Sequence, residues 1–83
     1  MPLFMDTHRK IDGLTADAVV NAHKMDLAVQ ERYGVRYLQY WFSEETGRVY
    51  CLVEAPNAEA ARAVHREAHG LIADELVEVR PGE

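Results

Sequence analysis

An α+β domain built on one antiparallel sheet is the architecture this sequence predicts, and three observations predict it. Four short stretches carry strand-like apolar content, and two longer ones carry apolar residues at helical spacing. They follow one another in the order β-α-β-β-α-β. Between them stand cap and turn residues placed where such an order needs them.

Pro2 to His8 forms the first strand and ends in the turn Lys10-Ile11-Asp12-Gly13. Thr15 is a good N-cap, Asp17 favours the positive end of the helix dipole, and Leu14 can staple to Val19. The first helix then runs from Ala16 to about Tyr33 and stops at Gly34. Val35 to Ser43 holds Val, Trp, Phe and two Tyr, a strand composition. Glu45-Thr46-Gly47 signals a hairpin, and Arg48 to Glu54 returns. Asn57 caps a second helix from about Ala58 to His69 that ends at Gly70, and Glu75 to Val79 is the last strand.

This order is the split βαβ pattern of ferredoxin-like folds. Right-handed crossovers arrange the strands 4-1-3-2 in one antiparallel sheet, with both helices on one face. The other face is left uncovered. Along the second strand, Leu38, Tyr40 and Phe42 should lie on one side and Val35, Tyr37 and Trp41 on the other, both apolar. A second copy of the chain is the expected cover, so a homodimer is expected.

Size and charge narrow the function. The 83 residues make a single domain, residues 1–83, with a hydrophobic content of 48%, too high for a disordered chain. A chain this short buries roughly 60–65% of its unfolded surface, so association would help it. Nine Lys and Arg face 14 Asp and Glu, a net charge of −5, which argues against a nucleic-acid partner. Charged residues among the first 13 leave no apolar signal-peptide region, and no run is long enough for a membrane span. The single cysteine, Cys51, excludes an intrachain disulfide, and a cytoplasmic location is expected. Cys51 alternates with Val49 and Val53, the pattern of a buried, inert thiol.

The informative residues are polar ones at core-facing positions. With Ala22 at the centre of the first helix stripe, Asp26 lies only ~40° off and His23 ~100° off on the same side. With Ala61 at the centre of the second, His65 lies ~40° off and His69 ~80° off. The same construction puts Met25 in the first stripe and Ile72 in the second. In the 4-1-3-2 arrangement the helices are antiparallel, and the pseudo-twofold turns both polar edges either into the groove between them or away from it; burial of Asp26 and His65 favours the groove. An Asp26–His65 contact is therefore expected, flanked by His23 and His69. Such a cluster is either a buried polar pair that fixes helix register or a site for a metal or a proton transfer. His65 and His69, four apart on a helix, suit a divalent cation, although the order His65-Arg66-Glu67-Ala68-His69 is not the zinc-protease pattern. Asp6 and His8 share one face of the first strand, either as a solvated strand end or as a second cation site near the dimer surface.

The blocks His23 to Gln30, Gly34 to Tyr37, Cys51 to Pro56 and Val64 to Gly70 resemble a bacterial family of short ferredoxin-like proteins. Its described representative is a dimeric nickel-binding protein of actinomycetes. The resemblance spans nearly the whole chain, from Phe4 to Val79, and implies the fold, the dimer and a role in nickel sequestration or tolerance. The family's polar positions are occupied here by Asp6, His8, His23, Asp26, Gln30, Glu54, His65 and His69. Two other functions compete with a non-catalytic nickel-binding protein. One is a small dimeric α/β-barrel enzyme of the monooxygenase or isomerase type, and the other is a small-ligand-binding module. The enzyme requires a closed apolar cavity containing Tyr, Trp and His.

Overall fold

A computed structural model describes residues 1–82. Its elements are β1 (Leu3–His8), α1 (Ala16–Val29), a 3-10 turn (Gln30–Tyr33), β2 (Arg36–Ser43), β3 (Arg48–Glu54), α2 (Ala58–Ala68) and β4 (Glu75–Val79). The strands lie in the order β2-β3-β1-β4, all neighbours antiparallel, which is the expected 4-1-3-2 read from the other edge.

Local chemistry sets the boundaries. Thr15 Oγ1 accepts the Ala18 N–H at 3.1 Å, and Glu44 from the β2–β3 hairpin accepts the Ala16 N–H at 3.0 Å. The two oxygens satisfy two of the donors that a helix start leaves open. Asn57 does the same for α2, accepting from Ala60 at 2.9 Å. At the other end of the first helical segment, Gly34 adopts φ 67° and the Val35 N–H returns to the Gln30 carbonyl at 3.1 Å. That left-handed turn redirects the chain into β2.

The core lies between the sheet and the two helices. Phe4, Val49, Cys51 and Val53 from β1 and β3 meet Val19 of α1 and Ala61 and Val64 of α2, all buried. The opposite face of the sheet has no helix over it. It carries Met5, Tyr50, Leu52, Trp41 and Val77, with Trp41 48% and Val77 54% exposed.

Three expectations are corrected. The alternation along β2 breaks at a bulge between Tyr37 and Gln39, where Leu38 is the extra residue. Tyr37 pairs with Val53 and Tyr40 with Cys51, so the bulge brings Tyr37 onto the helix side with Tyr40 and Phe42 and leaves Trp41 on the open side. Met25 is 47% exposed, because Val19 and Asp26 are the buried residues of α1. The buried line has moved toward α2, which puts Met25 roughly 100° away from it. Ile72 is exposed because α2 ends at Ala68 and the helical projection no longer applies there.

The hairpin between β2 and β3 turns through Gly47, at φ 77°, whose carbonyl accepts the Ile11 N–H at 2.9 Å. A Cβ there would stand 3.1 Å from the Ile11 carbonyl oxygen and would need a backbone conformation that L-residues avoid. Gly47→Ala should therefore destabilise the fold by roughly 1–3 kcal/mol. Urea unfolding would show it as a lower midpoint with an unchanged slope.

Candidate functional site

Alternation on β1 sends Phe4, Asp6 and His8 to the helix side, and the antiparallel register sets Asp6 beside Cys51. Asp26 points inward from α1 and His65 from α2. All four polar residues (Asp6, His8, Asp26 and His65) are buried, with Asp6 only 1% exposed. The anticipated helix–helix contact is present: His65 Nδ1 lies 2.8 Å from Asp26 Oδ1. Its other ring nitrogen, Nε2, lies 3.0 Å from Asp6 Oδ2. One imidazole thus joins both helices to the central strand. Tyr37 stacks on that ring at 4.8 Å between centroids, and its hydroxyl donates to the Ala61 carbonyl at 3.1 Å.

Asp6 and His8 therefore do not form a solvated strand end, nor a separate site on the open sheet face. They belong to the same buried cluster as Asp26 and His65, because the helix side of β1 faces the groove where α1 and α2 meet. The strand periodicity correctly put the two on one face, but only the packing says which face.

The hydrogen bonds assign protons. Carboxylate oxygens approach both nitrogens of His65, an arrangement that suits the imidazolium, which donates twice. Burial alone would push this imidazole down, but the bonds to Asp26 and Asp6 and their charges prevail, raising it to about 9. Burial likewise pushes the Asp26 carboxyl up, while His65 and His69 outweigh it and hold it below its usual range. His69 is different. Its Nδ1 accepts the Leu71 N–H at 3.0 Å, so Nε2 carries the proton and donates to Asp26 Oδ1 at 3.1 Å. Both of its nitrogens are committed.

The Asp6 side is less complete. Among the described residues, Asp6 Oδ1 is a buried acceptor without a hydrogen-bond partner. His8 Nε2 stops 3.7 Å away from it. Burial keeps the His8 imidazole below its ordinary value, hence neutral with a lone pair to offer, against the opposing pull of Asp6. Burial, then the charge of Asp6, pushes the Cys51 thiol up and keeps it protonated. Formally, two carboxylates face one imidazolium in this core.

Asp6, His8, Cys51 and His65 each offer a donor atom within 4.8 Å of the others, and Asp26, His65 and His69 form an overlapping group. Five of the six expected residues thus gather around His65. His23 stands apart: it lies against Tyr40, ring centroids 4.6 Å apart, on the wall of a cavity of about 70 Å³. His8, Asp26, Cys51, His65 and His69 also line that cavity. Cys51 and Tyr37 are the members that sequence reasoning left out. The thiol could have been found from strand pairing, since Asp6 and Cys51 share an inward face; Tyr37 needed knowledge of the bulge.

Fold and site together define a small ferredoxin-like α+β domain with a buried carboxylate–imidazole centre. The chain matches the family described as SCO4226-like, nickel responsive protein SCO4226-like, over residues 4–79, and it belongs to that family. A solved structure of SCO4226 from Streptomyces coelicolor A3(2) is similar to it at 43% identity and a TM-score of 0.90. That similarity covers 98% of this chain and 99% of the other. No curated protein matches the chain.

The sign of the His65 shift sets a pH dependence. An imidazole raised in the folded state contributes stability that is fully present below its ordinary 6.5 and is lost as pH rises through about 9. His8, lowered in the folded state, works the other way: its contribution is present above 6.5 and is lost as pH falls through its lowered folded value. Thermal melts across pH 6 to 10 should show a decline on the alkaline side. Asp26→Asn should flatten that decline, because one of the two carboxylates that hold the imidazolium is gone.

Proposed function

We propose that this protein binds a divalent transition metal, nickel foremost, without catalysing a reaction, and that the Asp6 side of the buried cluster holds it. The observation that carries this reading is Asp6 Oδ1, a buried carboxylate oxygen with no hydrogen-bond partner beside a neutral imidazole. An acceptor in that state costs free energy that a cation would recover. The donor types also fit, since imidazole nitrogen and carboxylate oxygen both suit nickel. His65 can offer Nε2 when a metal replaces the proton there, while Asp26 keeps the Nδ1 proton and holds the ring in place. Asp26 and His69 then orient the donors. The cavity is lined by His8, His65, Asp26 and His69 but not by Asp6, and it would give an ion access to the imidazole donors. Being named nickel responsive, the family supports the same metal, and sequestration or tolerance is the role that follows.

Titration of metal-free protein with nickel tests this reading. Saturable binding at micromolar metal is expected, with a loss of at least tenfold in Asp6→Asn. The absence of binding by the wild-type protein would sink it.

The cavity also favours a second reading, a pocket for a small organic molecule, because apolar walls from Leu14, Val19 and Val49 stand over His8 and His23. Trp41, on the open sheet face, takes no part in it.

The proposal includes a homodimer. The open sheet face supports it, with Met5, Leu52, Tyr50, Trp41 and Val77 forming an apolar band that a second copy would cover. Sedimentation at tens of micromolar should give a dimer, and Trp41→Lys should give monomer. A wild-type monomer at that concentration would refute this part.

A further inference from the structure

Cys51 is the one member of the cluster to which the reading above gives no work. It is buried on the inward face of β3, directly across the strand pair from Asp6, and it lines the cavity. Its sulfur lies within 4.8 Å of donor atoms on Asp6, His8 and His65. Asp6 Oδ1, the unpartnered oxygen of a side chain 1% exposed, sits among them. A thiol serving only as core filler would be met by apolar neighbours. Here it also faces a carboxylate and two imidazoles, and the Oδ1 of that carboxylate has no hydrogen-bond partner.

We propose that Cys51 joins Asp6, His8 and His65 as a thiolate ligand, so that the centre takes metals of borderline softness and rejects hard cations. The inference rests on the metal-binding reading and specifies its selectivity. One sulfur, two nitrogens and one oxygen make a donor set for nickel, cobalt or zinc, whereas magnesium, calcium and manganese prefer oxygen throughout. Binding exchanges the sulfur–hydrogen bond for a sulfur–metal bond. The thiol proton leaves to water along the cavity, and the sulfur lone pair goes to the metal without any change in oxidation state. A metal's positive charge would oppose both the burial and the Asp6 charge that keep the free thiol protonated. Burial serves the site as well, because it shields the free thiol from oxidation and alkylation while no metal is bound.

Cobalt(II) is the probe. Added to reduced, metal-free protein, it should produce a sulfur-to-metal charge-transfer band in the near ultraviolet. X-ray absorption of the cobalt or nickel protein should show a sulfur shell near the ~2.3 Å typical of a metal–thiolate bond. Cys51→Ser should remove the band and weaken cobalt binding at least tenfold, and magnesium should compete with cobalt in neither protein. The absorption measurement uses wild-type protein and so decides the point even where the variant folds poorly. Cobalt bound with no band and no sulfur shell would overturn the thiolate assignment and leave the metal-binding reading standing. Failure of the wild-type protein to bind cobalt, nickel or zinc would remove both.

Discussion

The His65 ring is the constraint on which the arrangement of this domain depends. Its two nitrogens reach carboxylates on different elements, Asp26 of α1 and Asp6 of β1, from a position on α2. Three elements far apart in the chain are thereby fixed against one another by a single planar group. A helix packed only by alanine and valine could slide or rotate by a fraction of a turn at small cost. A hydrogen-bonded imidazole resists this, because moving it by about an ångström would break its bonds and strand a buried charge. Tyr37 closes the ring from the sheet side and ties itself to the α2 backbone through Ala61.

Stability alone does not call for this design. A buried ion pair recovers its desolvation cost only when every partner is satisfied, and apolar residues of similar volume commonly do as well or better. Here the satisfaction is uneven. Around Asp26 each hydrogen has an acceptor: His65 and His69 both donate to Oδ1, and Leu71 donates to His69. Around Asp6 one oxygen is left over. The completed half ties the two helices together, the incomplete half leaves one carboxylate oxygen without a hydrogen-bond partner, and His65 belongs to both. That division lets one cluster hold the fold together and still keep donor atoms free.

The small size of the protein sharpens the point. A four-stranded sheet with helices on one side has a single core, and in this chain the cluster occupies its middle. Four polar residues displace apolar volume that a domain of 83 residues can hardly spare. The open sheet face, with Trp41 and Val77 exposed, offers apolar area that association would convert into stability. Core and open face thus differ in kind, one holding the polar cluster and the other presenting exposed apolar side chains.

Local chemistry determined much of this in advance. Caps at Thr15 and Asn57, the stop at Gly34 and the turn at Gly47 act within a few residues, so the element order and its boundaries were legible in the chain. Angular position on a helix is also local, which is why the sequence alone pairs Asp26 with His65. The remaining contacts depend on which surfaces meet. Alternation put Asp6 and His8 on one side of β1, but only packing turned that side toward α2. The bulge at Leu38 is invisible to a period-two pattern, and it alone decides that Tyr37 stacks on His65 while Trp41 looks outward. Cys51 reads as an inert valine-like residue along its strand, and only pairing shows that it stands beside Asp6. Sequence determined what each segment could be; the three-dimensional register decided which side chains became neighbours, because a contact between distant elements is a property of both surfaces at once.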